Sequence, residues 1–143
     1  MRLLTTSKNF ESYSNALAKM YNWNYTTVVR THYPMKPHIA DKKIEQLVMT
    51  GCVSNIFFTI EPDRDIKYAY TSAFSANHLH LLMDVKGVIV DSNVFRKKIA
   101  NVMGLNPKAV LNIEPIRGEK NISRYVTKHI TLPGSHHNYF VTL

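Results

Sequence analysis

The sequence predicts an α+β fold, a mainly antiparallel sheet with helices packed on it. Three observations predict it. Apolar residues recur at helical spacing in several short segments. Runs of strand length, rich in β-branched and aromatic residues, lie between those segments. Some neighbouring runs are separated by turn residues alone and others by one helix, which mixes hairpins with crossovers. At 143 residues the chain is read as one domain, 1–143, with an N-terminal helical segment at 1–24 and a tail at 131–143.

Each element has its own local signal. From Ser7, a candidate cap, Phe10, Tyr13, Leu17 and Met20 follow at helical spacing as far as Tyr21. Asn22-Trp23-Asn24 breaks the pattern, and Tyr25 to His32 reads as a strand that Pro34 ends. Pro37 suits the first position of a helix with Ala40, Ile44, Leu47 and Val48 on one face, and Gly51 suits its end. Asn55 to Glu61 is a strand, and Pro62-Asp63-Arg64-Asp65 a turn. Ile66 to Phe74 is the weakest strand, and Asn77 to Val85 the strongest. Asp91 or Ser92 can cap a helix with Phe95, Ile99 and Val102 on its buried stripe, closed by Gly104. Val110 to Ile116 is a strand, and Asn121 or Ser123 starts a short helix, Ile122 to Ile130, which Pro133-Gly134 stops. Ser135 to Leu143 shows no period and is expected to be irregular. The order α, β, α, β, β, β, α, β, α fits a ferredoxin-like layering.

Composition narrows the function. Apolar residues make up 45% and charged residues 20%, a globular balance. The net charge of +8 makes a polyanion a fitting partner, either nucleic acid or an anionic membrane surface. A single cysteine, Cys52, excludes an intramolecular disulfide and a Cys-rich zinc site, and fits a reducing cytoplasm. No apolar run is long enough to span a membrane, and Met1 to Thr6 lacks the apolar core of a signal peptide, so a cytoplasmic chain is expected. Neither a GxxxxGK[ST] nor a GxGxxG run appears, which removes the usual nucleotide-binding loops.

Three constellations can carry chemistry. His78 and His80, two apart on a strand, share one face while Leu79 and Leu81 enter the core, and paired imidazoles are good ligands for a divalent metal. Their ordinary role would be the outer face of a half-buried strand. Tyr125 and Lys128, three apart on a helix, put a phenol and an ammonium together, although such pairs also serve packing and solvation. Glu61, at a strand end, completes a three-ligand site for Mg²⁺ or Mn²⁺ if its strand pairs beside the histidine strand; otherwise it is a surface residue before a turn. His32 can reach the same face, and His136-His137 carry no pattern. The run Arg96-Lys97-Lys98 reads as a solvated helix face or as phosphate contacts.

Together, Asn77-His78-Leu79-His80-Leu81-Leu82 and the downstream Tyr125-Val126-Thr127-Lys128 resemble the HUH endonucleases, in which a His-hydrophobic-His strand precedes a tyrosine helix. The resemblance runs from Asn55 to His129 and is closest to the replication initiators of small phages, viruses and plasmids. It implies an HUH-type fold, His78 and His80 as metal ligands, Tyr125 as the nucleophile on a DNA phosphate and Lys128 as its assistant. The implied reaction leaves a 5′-phosphotyrosine and a free 3′-OH that primes rolling-circle synthesis. The implied substrate is single-stranded DNA at an origin or hairpin, with no membrane partner, in the cytoplasm (of the host, if the chain is viral). Glu61 is similar to a third ligand of some members, although it lies further upstream than is usual. The position one turn after Tyr125, where some initiators carry a second tyrosine, is His129, which implies a single-tyrosine enzyme. No helicase segment follows, so a host helicase and polymerase are implied partners. Small single-tyrosine transposases share the Asn-His-apolar-His-Leu-Leu run but more often pair their tyrosine with Gln or Asn. A basic nucleic-acid-binding module without chemistry is the reading from outside the enzymes.

Overall fold

The computed structural model describes residues 7–31, 33, 35–51, 53–62, 77–131 and 136–141. Its elements are α1 (Ser7–Met20), β1 (Tyr25–Arg30), α2 (Pro37–Met49), β2 (Asn55–Pro62), β3 (Asn77–Asp84), α3 (Ser92–Met103), a 3₁₀ turn (Pro107–Ala109), β4 (Val110–Pro115), α4 (Glu119–Ile130) and β5 (His136–Val141). The expected strand at Ile66 to Phe74, with Tyr68 and Tyr70, lies outside the described residues, as do His32 and Cys52. Among the described residues no helix is long and apolar enough to cross a membrane.

The strands form one sheet in the order β4-β1-β3-β2-β5, and each neighbouring pair is antiparallel. The unit β1-α2-β2-β3-α3-β4 is a βαββαβ arrangement with β3 between β1 and β2, as the ferredoxin-like expectation requires.

Period-two alternation splits the sheet into two buried faces. On one, Ile56, Phe58 and Ile60 of β2 and Leu79, Leu81 and Met83 of β3 pack against α2 and α3 through Ile44, Leu47, Phe95, Ile99 and Met103. On the other, Phe57 and Leu82 pack beneath α1 and α4 with Leu17, Trp23, Ile122, Val126 and Ile130. Leu79, Leu81 and Met83 thus bury one face of β3, while its second face carries the histidines at the end beyond Leu82.

Local chemistry sets the helix ends. Asp91 caps α3, its Oδ1 accepting from the Asn93 and Val94 amides at 2.9 and 3.4 Å. Gly104 closes the helix at φ 70°, a left-handed conformation suited to glycine. Pro37 opens α2 as expected.

Three expectations are corrected. Residues 136–141 are not irregular: they form β5 on the open edge of β2, in register from Asn55↔Val141 to Ile60↔His136. The polar start His136-His137-Asn138 hid an edge strand whose stability comes from its partner rather than from its own apolar pattern. α4 begins at Glu119 after Gly118 (φ 87°), because Asn121 bonds back to the Arg117 carbonyl at 3.0 Å and Ser123 donates to Asn15 of α1 at 2.6 Å. On α3 the fully buried positions beside Phe95 and Ile99 are Ala100 and Met103, with Val102 only partly covered.

Candidate metal centre and tyrosine helix

Three elements converge on the α1/α4 side of the sheet. The register sets His78 opposite Glu61 and Arg30, and His80 opposite Thr59 and Val28. Side chains on directly opposed residues share a face, so Glu61, His78 and His80 stand together. α4 crosses above them, held by Val126 and Ile130 in the core and by a hydroxyl pair, Thr127–Ser14, at 2.7 Å to α1. Tyr125 and His129, one turn apart on its lower side, come down onto the carboxylate.

The resulting cluster is Glu61, His80 and His129. Glu61 Oε1 lies 3.0 Å from His129 Nδ1, and Oε2 lies 3.4 Å from His80 Nε2. The two imidazoles stack with centroids 3.9 Å apart, and the Tyr125 ring lies 4.5 Å from His129. His129 is 6% exposed, Glu61 16% and His80 18%, so the group is buried but opens to solvent on the His80 and Glu61 side.

Burial is the main cause of the electrostatics. It lowers His80 to about 4, helped by the neighbouring His129 and His78 and opposed by Glu61. It lowers His129 as well, against the Glu61 hydrogen bond and charge, with the Lys128 ammonium adding to the depression. Both imidazoles are therefore neutral at neutral pH, the form that binds metals. As neutral rings they donate N–H to the two carboxylate oxygens. With the proton moved to the other ring nitrogen, the same atoms turn lone pairs inward instead.

The residues fit a cation on two counts. One ligand atom from each residue lies within 4.8 Å of the others, so the three can hold a metal ion. Metal–ligand bonds of about 2.0–2.2 Å put two donors of one ion roughly 2.8–3.6 Å apart, the range of the contacts to Glu61. Two buried oxygens beside the cluster, Tyr125 Oη and Thr59 Oγ1, also have no hydrogen-bond partner among the described residues. Orphaned buried oxygens are uncommon, and these belong to the residue packed on His129 and to the one paired opposite His80.

The structure thus brings together Glu61, His80 and Tyr125 of the expected residues and adds His129. His78 is not one of the converging three: its ring lies 6.5 Å from that of His80. Of the expected trio His78–His80–Glu61, His80 and Glu61 belong to the converging group, whose second imidazole is His129 of α4. Sequence spacing puts His129 four after Tyr125, on the same helix face, but does not bring it to the sheet; the resemblance marks the position only as the place of an absent second tyrosine. Lys128 is exposed, one turn from Tyr125 and next to His129. Arg96, Lys97 and Lys98 lie on α3, across the sheet from the cluster.

The other tyrosines among the described residues have packing or surface positions. Tyr25 Oη accepts from the Ile89 amide at 3.0 Å, and Tyr21 packs edge-on against Trp23. Tyr13 packs on His137, and burial, with Tyr139 nearby, raises it to about 12. Tyr33 and Tyr139 are exposed. Tyr125 is raised too, by burial first and then by the Glu61 charge.

Compared with protein-family models, with curated proteins and with solved structures, the chain gives no match.

Proposed function

We propose that the chain nicks single-stranded DNA by metal-dependent transesterification, with Tyr125 as the nucleophile, and that it serves in starting rolling-circle replication. The observation that carries this reading is the placement of Tyr125 and His129 on one face of α4, directly over Glu61 and His80. Glu61, His80 and His129 would hold Mg²⁺ or Mn²⁺, with His78, opposite Glu61, as a further donor at the open end. Bound there, the cation would supply Lewis-acid polarisation of a phosphoryl oxygen and cancel the Glu61 charge that opposes ionisation of the phenol.

The rest is done by the chain. The core contacts of Val126 and Ile130 fix α4 over the sheet, so only the Tyr125 side chain, and not its helix, has to move to bring the phenol to the phosphate. Since Oη is buried, the scissile phosphate reaches it by rotation of the Tyr125 side chain toward the exposed side of α4, where Lys128 meets the phosphate charge. Oη then forms a bond to phosphorus as the P–O3′ bond breaks; the phenol proton is lost and O3′ gains one. The phosphotyrosine keeps the free energy of the phosphodiester, so the step needs no ATP and the 3′-OH reverses it.

The burial of Oη supports a second reading, a hydrolytic nuclease in which Tyr125 only packs against His129. One gel separates them. With Mn²⁺ and single-stranded DNA, the first reading expects an adduct that survives boiling in detergent, maps to the peptide containing Tyr125 and is lost in Tyr125→Phe. Nicking without any adduct supports the second, and full nicking in EDTA removes both.

A further inference from the structure

On the side of the sheet away from Tyr125, α3 and the edge strand β4 enclose a cleft of about 500 Å³. Its cations are Arg96 and Lys97 of α3 and Lys108 of the 3₁₀ turn, and no acidic side chain among the described residues lines it. Arg96 is only partly satisfied there. Its Nη1 donates to Asn93 Oδ1 at 3.3 Å, while Nε is buried and, among the described residues, has no acceptor. A buried guanidinium N–H without an acceptor is a costly arrangement unless a ligand completes it.

The facing wall is shaped as well. β4 bulges against β1: Thr26 pairs with Glu114 and Val28 with Leu111, so Asn112 and Ile113 together face Thr27. Asn112 takes φ 37°, a left-handed conformation, and lines the cleft beside an exposed Leu111. Bulges re-aim side chains, and strained backbone persists where the surroundings hold it. The cleft thus combines three cations and two side-chain amides with the apolar Pro107, Val110 and Leu111.

We infer that this cleft binds the phosphate-bearing backbone of a nucleic acid strand. One nucleotide unit seats its phosphate on Arg96, Lys97 and Lys108, with its sugar or base edge on Leu111 and Pro107. The basic run of α3 is divided by this arrangement: Lys98 borders a separate depression beside Val94 and Phe95, and Lys108 takes its place. The site shares no residue with the Glu61 cluster and does not depend on the nicking reaction.

The test measures anisotropy of a labelled single-stranded oligonucleotide in EDTA, across a salt series. Lys97 and Lys108 are exposed, so Lys97→Gln/Lys108→Gln keeps the fold, and Arg96→Gln is the second variant. Weakening the seat of this one phosphate should reduce the slope of log K against log salt by up to about 0.7, with affinity falling on the order of tenfold at physiological salt. Inorganic phosphate, followed by amide shifts at Lys108 and Asn112, separates the sources. Shifts that accompany the DNA effect show that free phosphate is taken too. Silence with the DNA effect assigns the site to the strand alone. Unchanged slope and affinity in both variants overturn the inference, whether or not inorganic phosphate binds.

Discussion

Acidification should destabilise the metal-free chain through His80. Its imidazole titrates near 4 when folded against about 6.5 in an unfolded chain, because the fold buries it beside His129 and His78. Between those values the unfolded state binds more protons, so stability rises with pH across the window and falls as pH drops through it. Working the linkage through, His80 alone costs about 2 kcal/mol on going from pH 7 to pH 5, and about 3 kcal/mol by pH 4. At this chain length each kcal/mol moves Tm by roughly 2–4 °C, so the pH 5 effect is about 4–8 °C. Thermal unfolding in EDTA, at pH 7 and pH 5, checks this against His80→Gln, which lacks the titration but keeps a polar side chain. The wild type should lose more than the variant by that margin. Parallel losses in the two proteins would show that His80 is not held neutral by the fold.

Three further outcomes are expected. Glu61→Gln removes the charged acceptor shared by His80 and His129; it should lower stability by about 1–3 kcal/mol in chemical denaturation and abolish saturable Mn²⁺ binding. Asp91→Ala removes the α3 cap and should cost about 1 kcal/mol with no change in metal affinity. Lys128→Ala, at an exposed position, should leave Tm and Mn²⁺ affinity unchanged while slowing adduct formation in single-turnover assays.

The layered fold was legible because its signals are local. Val28-Val29, Phe57-Phe58 and Leu79-Leu81 declare strands by residue type, and Pro37, Asp91 and Gly104 mark helix ends by backbone chemistry. β5 was not legible, since His136-His137-Asn138 has no apolar alternation and Asn138 is a turn former, and only the free edge of β2 makes it a strand. At the candidate site, His80 and Glu61 were readable from the alternation of paired strands. His129 was not, because its place depends on the angle at which α4 crosses the sheet, and that is decided by Ser14, Asn15 and Leu17 of α1, more than a hundred residues earlier. The basic run on α3 is visible as charge, whereas its division between two depressions, with Lys108 joining Arg96 and Lys97 in one of them, is a matter of tertiary packing.

Calorimetric titration of Mn²⁺ into the wild type, His129→Ala and His78→Ala tests most directly whether α4 and the sheet build one metal centre. A single site should appear in the wild type. Loss of an outer-shell partner typically costs 10–100-fold in metal affinity, so removing a ligand from α4 should weaken binding by more than about 100-fold, and His78→Ala by less than that. Wild-type affinity in His129→Ala, with binding lost in His78→Ala, would contradict the centre formed by Glu61, His80 and His129.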